Sequence, residues 1–254
     1  MGAGHTHRLH VHGHSVVHRL PPQCKLVALV AFVLVVVATP RTAFWAFAGY
    51  ALLLLAVAVL ARVPLGFVAR RIVVESPVIV FAVLLPLIAT GPRVDVLGLS
   101  LSQSGLWSAW NVLAKATLGV VASILLAATT DQRALLAGLQ RLRLPTQLVE
   151  IASFMVRYLD VITGQMSRMR IARAARGFTP RGPRAWPVLA RSAGALFVRS
   201  YERGERVHLA MLSRGYVGAL PSLSDGRTPL TAWAGASVLP LCALLLALGA
   251  WLTA

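Results

Sequence analysis

The chain has 254 residues, of which 57% are hydrophobic and 13% charged, and its mean hydropathy is +0.72. These proportions exclude an ordinary soluble domain, because such domains carry about twice that charged share. The net charge of +17 would suit a nucleic-acid binder, but the basic residues are confined to segments between long apolar runs, which favours a membrane protein instead.

A histidine-rich tail occupies residues 1–24, ahead of the first apolar run. Its imidazoles could chelate a divalent transition metal, but their irregular spacing is also typical of a disordered tail with incidental metal affinity, which we prefer. The tail lacks the basic, apolar and small-residue series of a cleavable signal peptide, so we expect it to be retained. The histidines are His5, His7, His10, His12, His14 and His18.

Five apolar stretches approach or reach the length of about 20 residues that spans a bilayer. They predict spanning helices at 25–40, 42–61, 72–91, 105–130 and 229–253. Glu75 and Pro77 make the start of the third span uncertain, and Glu75 can simply be solvated near that span end. The predicted fold is therefore an all-α polytopic membrane protein with about five transmembrane helices, four within 25–130 and the last within 229–254.

The positions of arginine and lysine predict the orientation, because short cytoplasmic loops are enriched in both. Arg62, Arg70 and Arg71 separate the second span from the third, whereas Arg41 and Arg93 stand alone in the alternate loops. This pattern places the N-terminus in the cytoplasm. After four crossings it also places residues 131–228 there, in a segment that holds most of the 25 lysines and arginines.

The segment 131–228 has the periodicity of helices. A short amphipathic helix is predicted at 132–142, and two long ones at 145–176 and 183–215, each too polar to span a membrane. The first of the two long helices begins at Pro145 and ends before Gly177, which suit a first turn and a C-terminal cap. Its predicted apolar stripe consists of Leu148, Ile151, Met155, Tyr158, Ile162, Met166 and Met169.

The two long helices end alike. Ala175-Arg176-Gly177 closes the first and Ser213-Arg214-Gly215 closes the second, and an aromatic residue follows each glycine. Arginine and glycine are common helix terminators, so one such end would need no functional explanation. Two copies on two long helices instead suggest two equivalent contact points for two equivalent partners.

These paired motifs resemble those that end the coupling helices of the transmembrane T component of energy-coupling factor (ECF) transporters. Further stretches resemble its cobalt type, the CbiQ family. They are Gly105-Leu106-Trp107 through Asn111 to Thr117, Ser153 to Asp160, and Phe197 to Arg206. The second motif opens with Ser213 where alanine is usual, a small-for-small change.

The resemblance implies a non-catalytic subunit of a bacterial or archaeal cytoplasmic membrane transporter for cobalt. Two cytoplasmic ATP-binding subunits would each take one Arg-Gly helix end, and a separate membrane-embedded subunit would capture the metal ion. The chain itself would need no cofactor and no bound metal. Consistent with this, the sequence has no GxxxxGK[ST] phosphate loop.

Other interpretations stay open at this point. The same chain could serve a nickel or vitamin transporter, because in this family the substrate is bound by another subunit. A membrane-anchored binder of nucleic acid or anionic lipid would use the basic segment for backbone contacts, although we expect no nucleic-acid partner. An intramembrane enzyme is least favoured. Asn111 and Lys115, one helical turn apart in the fourth span, are expected to be structural or to lie at a subunit interface.

Overall fold

The structure is a computed structural model that describes residues 15–90, 92–96, 99–179, 182–218 and 228–253. Of the histidine-rich tail at residues 1–24 the structure describes residues 15–24, so every histidine of the tail except His18 lies outside the described residues. The helices are α1 (Val16–Arg19), α2 (Pro22–Ala38), α3 (Phe44–Leu60), α4 (Leu65–Ile72), α5 (Ser76–Ile88), α6 (Gln103–Thr129), α7 (Gln132–Arg141), α8 (Thr146–Ala175), α9 (Trp186–Leu212) and α10 (Leu230–Leu252).

The chain divides into two compact units. We call Leu9–Gly138 with Arg227–Ala254 the membrane unit, and Leu139–Gly226 the basic unit. The membrane unit holds α1 to α6, most of α7, and α10, whereas the basic unit holds α8 and α9.

Among the described residues, three helical stretches are long and apolar enough to cross a membrane, namely Gly66–Ile88, Gln103–Thr129 and Leu230–Leu252. The apolar helices α2 and α3 have 17 residues each. At about 1.5 Å per residue they reach about 25 Å, a little less than the hydrocarbon core of about 30 Å. The prediction of an all-α polytopic membrane protein with about five apolar helices is confirmed.

The third span differs in its start from the prediction. The helical stretch begins in α4 and continues through a 3₁₀ turn, Val73–Glu75, into α5. Arg70 and Arg71, which we predicted in a loop, therefore lie in α4. Pro77 does not stop the helix because it occupies the first turn of α5, where its missing N–H costs nothing.

Glu75 is not solvated, so that expectation was wrong. Its side chain is only 2% exposed, and one carboxylate oxygen accepts a hydrogen bond of 2.7 Å from the Thr117 hydroxyl of α6. The second oxygen, Oε2, has no partner among the described residues. The carboxylate thus links the 3₁₀ turn to α6, a contact that no local sequence pattern predicts.

The core of the membrane unit lies among α2, α3, α6 and α10. Phe32 and Phe47 each meet the ring of Tyr50 edge to face, with centroids 6.0 and 6.2 Å apart. The buried Tyr50 hydroxyl lies 2.8 Å from the Thr39 hydroxyl, so its polar end is satisfied. The membrane unit therefore has a buried core in which aromatic rings pack together and the buried hydroxyl of Tyr50 has a hydrogen-bond partner.

The connection between α5 and α6 contains a short hairpin that the sequence analysis did not predict. Strand β1 (Arg93–Val96) pairs antiparallel with β2 (Leu99–Ser102), with Arg93 opposite Ser102. The Ser102 hydroxyl accepts a hydrogen bond from the Gly105 N–H and caps α6. A Cβ on Gly105 would lie 2.7 Å from the Pro86 Cα, so only glycine lets α6 approach α5 here.

The basic unit has almost no interior among its described residues. Helix α9 has no buried residue, and in α8 only Val149 and Glu150 are buried. The predicted stripe on α8 is only partly correct. Tyr158 and Ile162 face α9 together with Phe154, which we had not included. Met166 and Met169 also line the space between α8 and α9, whereas Leu148, Ile151 and Met155 of the stripe are more than half exposed.

Candidate functional site

The first Arg-Gly end closes α8 with a Schellman turn. The Phe178 N–H donates to the Arg173 carbonyl at 3.1 Å, and the Gly177 N–H donates to the Ala174 carbonyl at 3.0 Å. These two bonds satisfy carbonyls that the helix end would otherwise leave unpaired. Arg176 is thereby held as the last residue before the chain reverses.

The second end closes α9 with the same bonds. The Tyr216 N–H donates to the Met211 carbonyl and the Gly215 N–H to the Leu212 carbonyl, each at 3.0 Å. Arg214 occupies the place that Arg176 has in the first end. The alignment of the two motifs in the sequence therefore extends to their backbone hydrogen bonds.

Both glycines are required by backbone conformation rather than by space. Gly177 has φ +76° and Gly215 has φ +81°, in the left-handed region that other residues enter at a cost. A Cβ at either glycine would meet nothing within 4 Å. The glycines thus set the direction of the chain after each arginine. The space beside each glycine is not filled by other described residues.

The two aromatic residues that follow are held differently. The Arg173 guanidinium lies 5.9 Å from the ring centroid of Phe178, within its own helix end. The Tyr216 hydroxyl instead donates a 2.6 Å hydrogen bond to the Glu150 carboxylate near the start of α8. This hydrogen bond, with burial and the carboxylate charge, raises the pKa of Tyr216. The second end is therefore tied across to the neighbouring helix.

Helices α8 and α9 run antiparallel, so the two Arg-Gly ends lie at opposite ends of the pair. Tyr216, beyond the end of α9, contacts Glu150 near the start of α8. A cavity of about 550 Å³ between the helices is lined by Arg173 from the end of α8 and by Leu189 from the start of α9. From Glu150 to Arg176 the helix rises about 40 Å, at about 1.5 Å per residue. The pair thus presents two separate contact points.

The described residues offer neither Arg176 nor Arg214 a hydrogen-bond or ion-pair partner, and both side chains are exposed. A guanidinium presents a rigid fork of donors that matches carboxylates and carbonyls. Ala175 and Ser213, the small residues before them, are exposed as well. Each end therefore presents an exposed arginine next to a small, exposed residue.

Two other helix ends show that a Schellman turn does not need the Arg-Gly order. Arg62 after α3 has φ +54° and Arg143 after α7 has φ +60°, so an arginine stands in the place where α8 and α9 have glycine. The Leu144 N–H closes the second of these turns on the Leu139 carbonyl at 3.4 Å. Sequence reasoning missed both, because nothing in the local sequence signals a left-handed arginine.

The polar pair of the fourth span is not brought together. Lys115 donates a 2.7 Å hydrogen bond to the Val37 carbonyl at the end of α2, whereas the buried Asn111 Oδ1 has no partner among the described residues. The lysine thus connects two helices of the same chain. No group of three His, Cys, Asp or Glu side chains that could hold a metal ion occurs in the part of the chain that the structure describes.

Comparison with known proteins gives matches over most of the chain. A family model described as cobalt transport protein, CbiQ, matches residues 13–224. The ECF transporter transmembrane protein EcfT of Bacillus selenitireducens is 30% identical, over 86% of this chain and 84% of that protein. EcfT of Bacillus subtilis is 28% identical over 86% of this chain and 85% of its own length. The cobalt transport protein CbiQ of Rhodobacter capsulatus is 31% identical over 65% of this chain and 66% of that protein.

Proposed function

Because this chain belongs to the CbiQ family of cobalt transport proteins, we propose that it is the non-catalytic T subunit of an ATP-driven ECF importer for cobalt. In this role it connects two cytoplasmic ATP-binding subunits to a membrane-embedded subunit that captures the metal ion. Its N-terminus and its basic unit lie in the cytoplasm, as the distribution of arginine and lysine indicates.

The observation that supports the proposal is the pair of helix ends with the same Arg-Gly order and the same backbone hydrogen bonds. Arg176 and Arg214 occupy equivalent positions in two Schellman turns at opposite ends of an antiparallel helix pair. Two equivalent ATP-binding subunits need two equivalent contact points. Each arginine enters a groove in one subunit, where its fork of donors meets acidic groups and carbonyls.

The exposed apolar side chains of the basic unit support protein partners there. Trp186 and Phe197 of α9 are 70% and 71% exposed, and Leu209 is 64% exposed. Large apolar side chains left in contact with water mark interaction surfaces. Binding of ATP moves α8 and α9 through the two arginines, and these helices move the substrate-capture subunit.

Cobalt is the proposed substrate because the matching family and the Rhodobacter capsulatus relative are both named for cobalt transport. The printed names of the two EcfT relatives specify no substrate. Nickel and vitamins are the competing substrates, and a binder of nucleic acid or anionic lipid is the competing class. No contact in the described residues favours any of these.

Co-expression with the cognate ATP-binding subunits tests the proposal. The purified chain alone should hydrolyse no ATP, whereas the complex should hydrolyse ATP and support uptake of radioactive cobalt. Unlabelled nickel added in excess distinguishes the two metals. A cobalt importer should continue to take up radioactive cobalt in its presence. Hydrolysis by the chain free of ATP-binding subunits, or failure of the subunits to assemble with it, contradicts the proposal.

A further inference from the structure

The polypeptide passes from the membrane unit into the basic unit after Gly138 and returns to the membrane unit before Arg227, and we call these two points the crossings. Within the membrane unit, the described residues beside these crossings are Gly138 itself, in α7, and Thr228, just ahead of α10. Both are in contact with the first turn of α2, Pro22 to Lys25, which we call the α2 turn. One helical turn therefore touches the described residue beside each crossing.

Lys25 connects the α2 turn by hydrogen bonds to the end of α6, from which the chain continues into α7. Its side chain is only 8% exposed, and its ammonium donates to the Thr129 carbonyl at 3.0 Å and to the Thr130 hydroxyl at 3.2 Å. A third hydrogen bond, of 3.3 Å, reaches the His18 carbonyl. All three donors of the ammonium are therefore used, and its charge lies at the C-terminal end of a helix, where cations are stabilised.

Gln23 and Pro22 hold the two crossings directly. The buried Gln23 amide hydrogen-bonds to the Thr228 hydroxyl, ahead of α10. A Cβ on Gly138 would lie 3.0 Å from the Gln23 backbone nitrogen and 3.1 Å from the Pro22 carbonyl carbon, so α7 approaches the α2 turn backbone to backbone. Neighbouring Cys24 is fully buried against Ala236 of α10.

A second lysine in the same two helices shows that this arrangement is specific to the crossings. Lys115 of α6 donates to the Val37 carbonyl at the C-terminal end of α2, as Lys25 of α2 donates to the C-terminal end of α6. Both lysines therefore join α2 to α6 through a helix-end carbonyl. Among the described lysines, Lys25 is the one that belongs to the α2 turn, which contacts Gly138 and Thr228 beside the crossings.

We propose that the α2 turn is where movement of the basic unit is transmitted to the membrane helices, with Lys25 and Gln23 as positioning residues. The proposal rests on the proposed function, since a coupling subunit is what has movement to transmit. Because both crossings are fixed to one turn, a displacement of the basic unit moves α2, and α2 packs on α6 and α10. Once these contacts are removed, the crossings move without α2, and ATP is hydrolysed without metal import.

The test uses the complete transporter in proteoliposomes and measures cobalt imported per ATP hydrolysed. Lys25→Met should lower this ratio about five- to tenfold, which corresponds to a modest coupling free energy between sites. The amount of ATP-binding subunit that co-purifies should not change. The matched control is Lys115→Met, which removes a lysine from the same helix pair but away from the crossings, and it should leave the ratio unchanged.

A second variant keeps the test informative where Lys25→Met fails to insert. Gly138→Ala forces α7 away from the α2 turn and should also lower the ratio, whereas Gly119→Ala, in an open position of α6, should not. An unchanged ratio in both Lys25→Met and Gly138→Ala overturns the proposal, as does an equal fall in Lys115→Met. Failure of the ATP-binding subunits to co-purify with the unaltered chain instead overturns the proposed function.

Discussion

The two units both expose large apolar side chains, but for different reasons. In the membrane unit, exposed residues such as Leu52 and Ile88 surround a buried aromatic core, as expected of helices that meet lipid. In the basic unit, exposed Trp186 and Phe197 lie on a helix with no buried residue and many arginines. The membrane unit thus has a buried core, whereas the basic unit has almost none among its described residues. We therefore expect substitutions in the membrane unit to change the stability of the chain, and substitutions in the basic unit to change its binding to other subunits.

Among single substitutions, the largest expected effect comes from reversing the charge of one Arg-Gly end. Arg176→Glu should weaken binding of the ATP-binding subunits by about 2 to 5 kcal/mol, because it places a repelling charge in a desolvated contact. Arg143→Glu is the matched control, an exposed arginine in the Schellman turn of α7. Titration of each purified variant with the ATP-binding subunits measures the effect. If both variants weakened binding of the ATP-binding subunits equally, the net charge of the chain, and not the position of the arginine, would determine binding.

In the membrane unit, the effect should instead be on the stability of the chain alone. Gly105→Ala places a Cβ within 2.7 Å of the Pro86 Cα and 2.8 Å of the Leu85 carbonyl oxygen. The overpacking should cost about 1 to 3 kcal/mol and lower the thermal midpoint in detergent. Gly119→Ala, where a Cβ meets nothing within 4 Å, is the control. An unchanged midpoint for Gly105→Ala would contradict the close contact between α5 and α6.

A smaller effect is expected from the glycines of the basic unit. Gly177→Ala must hold alanine at φ +76°, at a cost of about 1 kcal/mol, and should fray the end of α8. Gly194→Ala, within α9 and with open space around it, should stabilise its helix by a similar amount. Hydrogen exchange at the helix ends distinguishes the two. Protection that is unchanged at Phe178 in Gly177→Ala would show that the Schellman turn is unimportant.

The smallest effect concerns the hydrogen bond between Tyr216 and Glu150. Tyr216→Phe should slightly loosen the end of α9, while Tyr201→Phe, at an exposed site, should not. Because this bond raises the pKa of Tyr216, its contribution is present below the unfolded phenol pKa of about 10 and is lost as the pH rises through the folded value. Hydrogen exchange of the Tyr216 amide at several pH values measures this. A loss on acidification towards neutral pH would contradict the sign.

What could be predicted from the sequence is what local patterns determine. Apolar length indicates the spans, the 3.6-residue period indicates α8 and α9, and glycine after arginine marks both helix ends. Contacts between distant segments have no such signal, which is why burial of Glu75 beside Thr117 was missed. The predicted apolar stripe of α8 is covered by α9 over only part of its length. Periodicity shows which residues are apolar, and it does not show which partner covers them.

The most direct test of the central claim is the amount of ATP-binding subunit held by four versions of the chain. These are the unaltered chain, Arg176→Glu, Arg214→Glu and the double variant, each purified from membranes and quantified by native mass spectrometry. We predict that each single variant keeps part of the complex through its remaining arginine, and that the double variant loses far more than either. Membrane insertion should be equal in all four. A double variant that assembles and imports cobalt normally would show that the Arg-Gly ends are helix caps and nothing more.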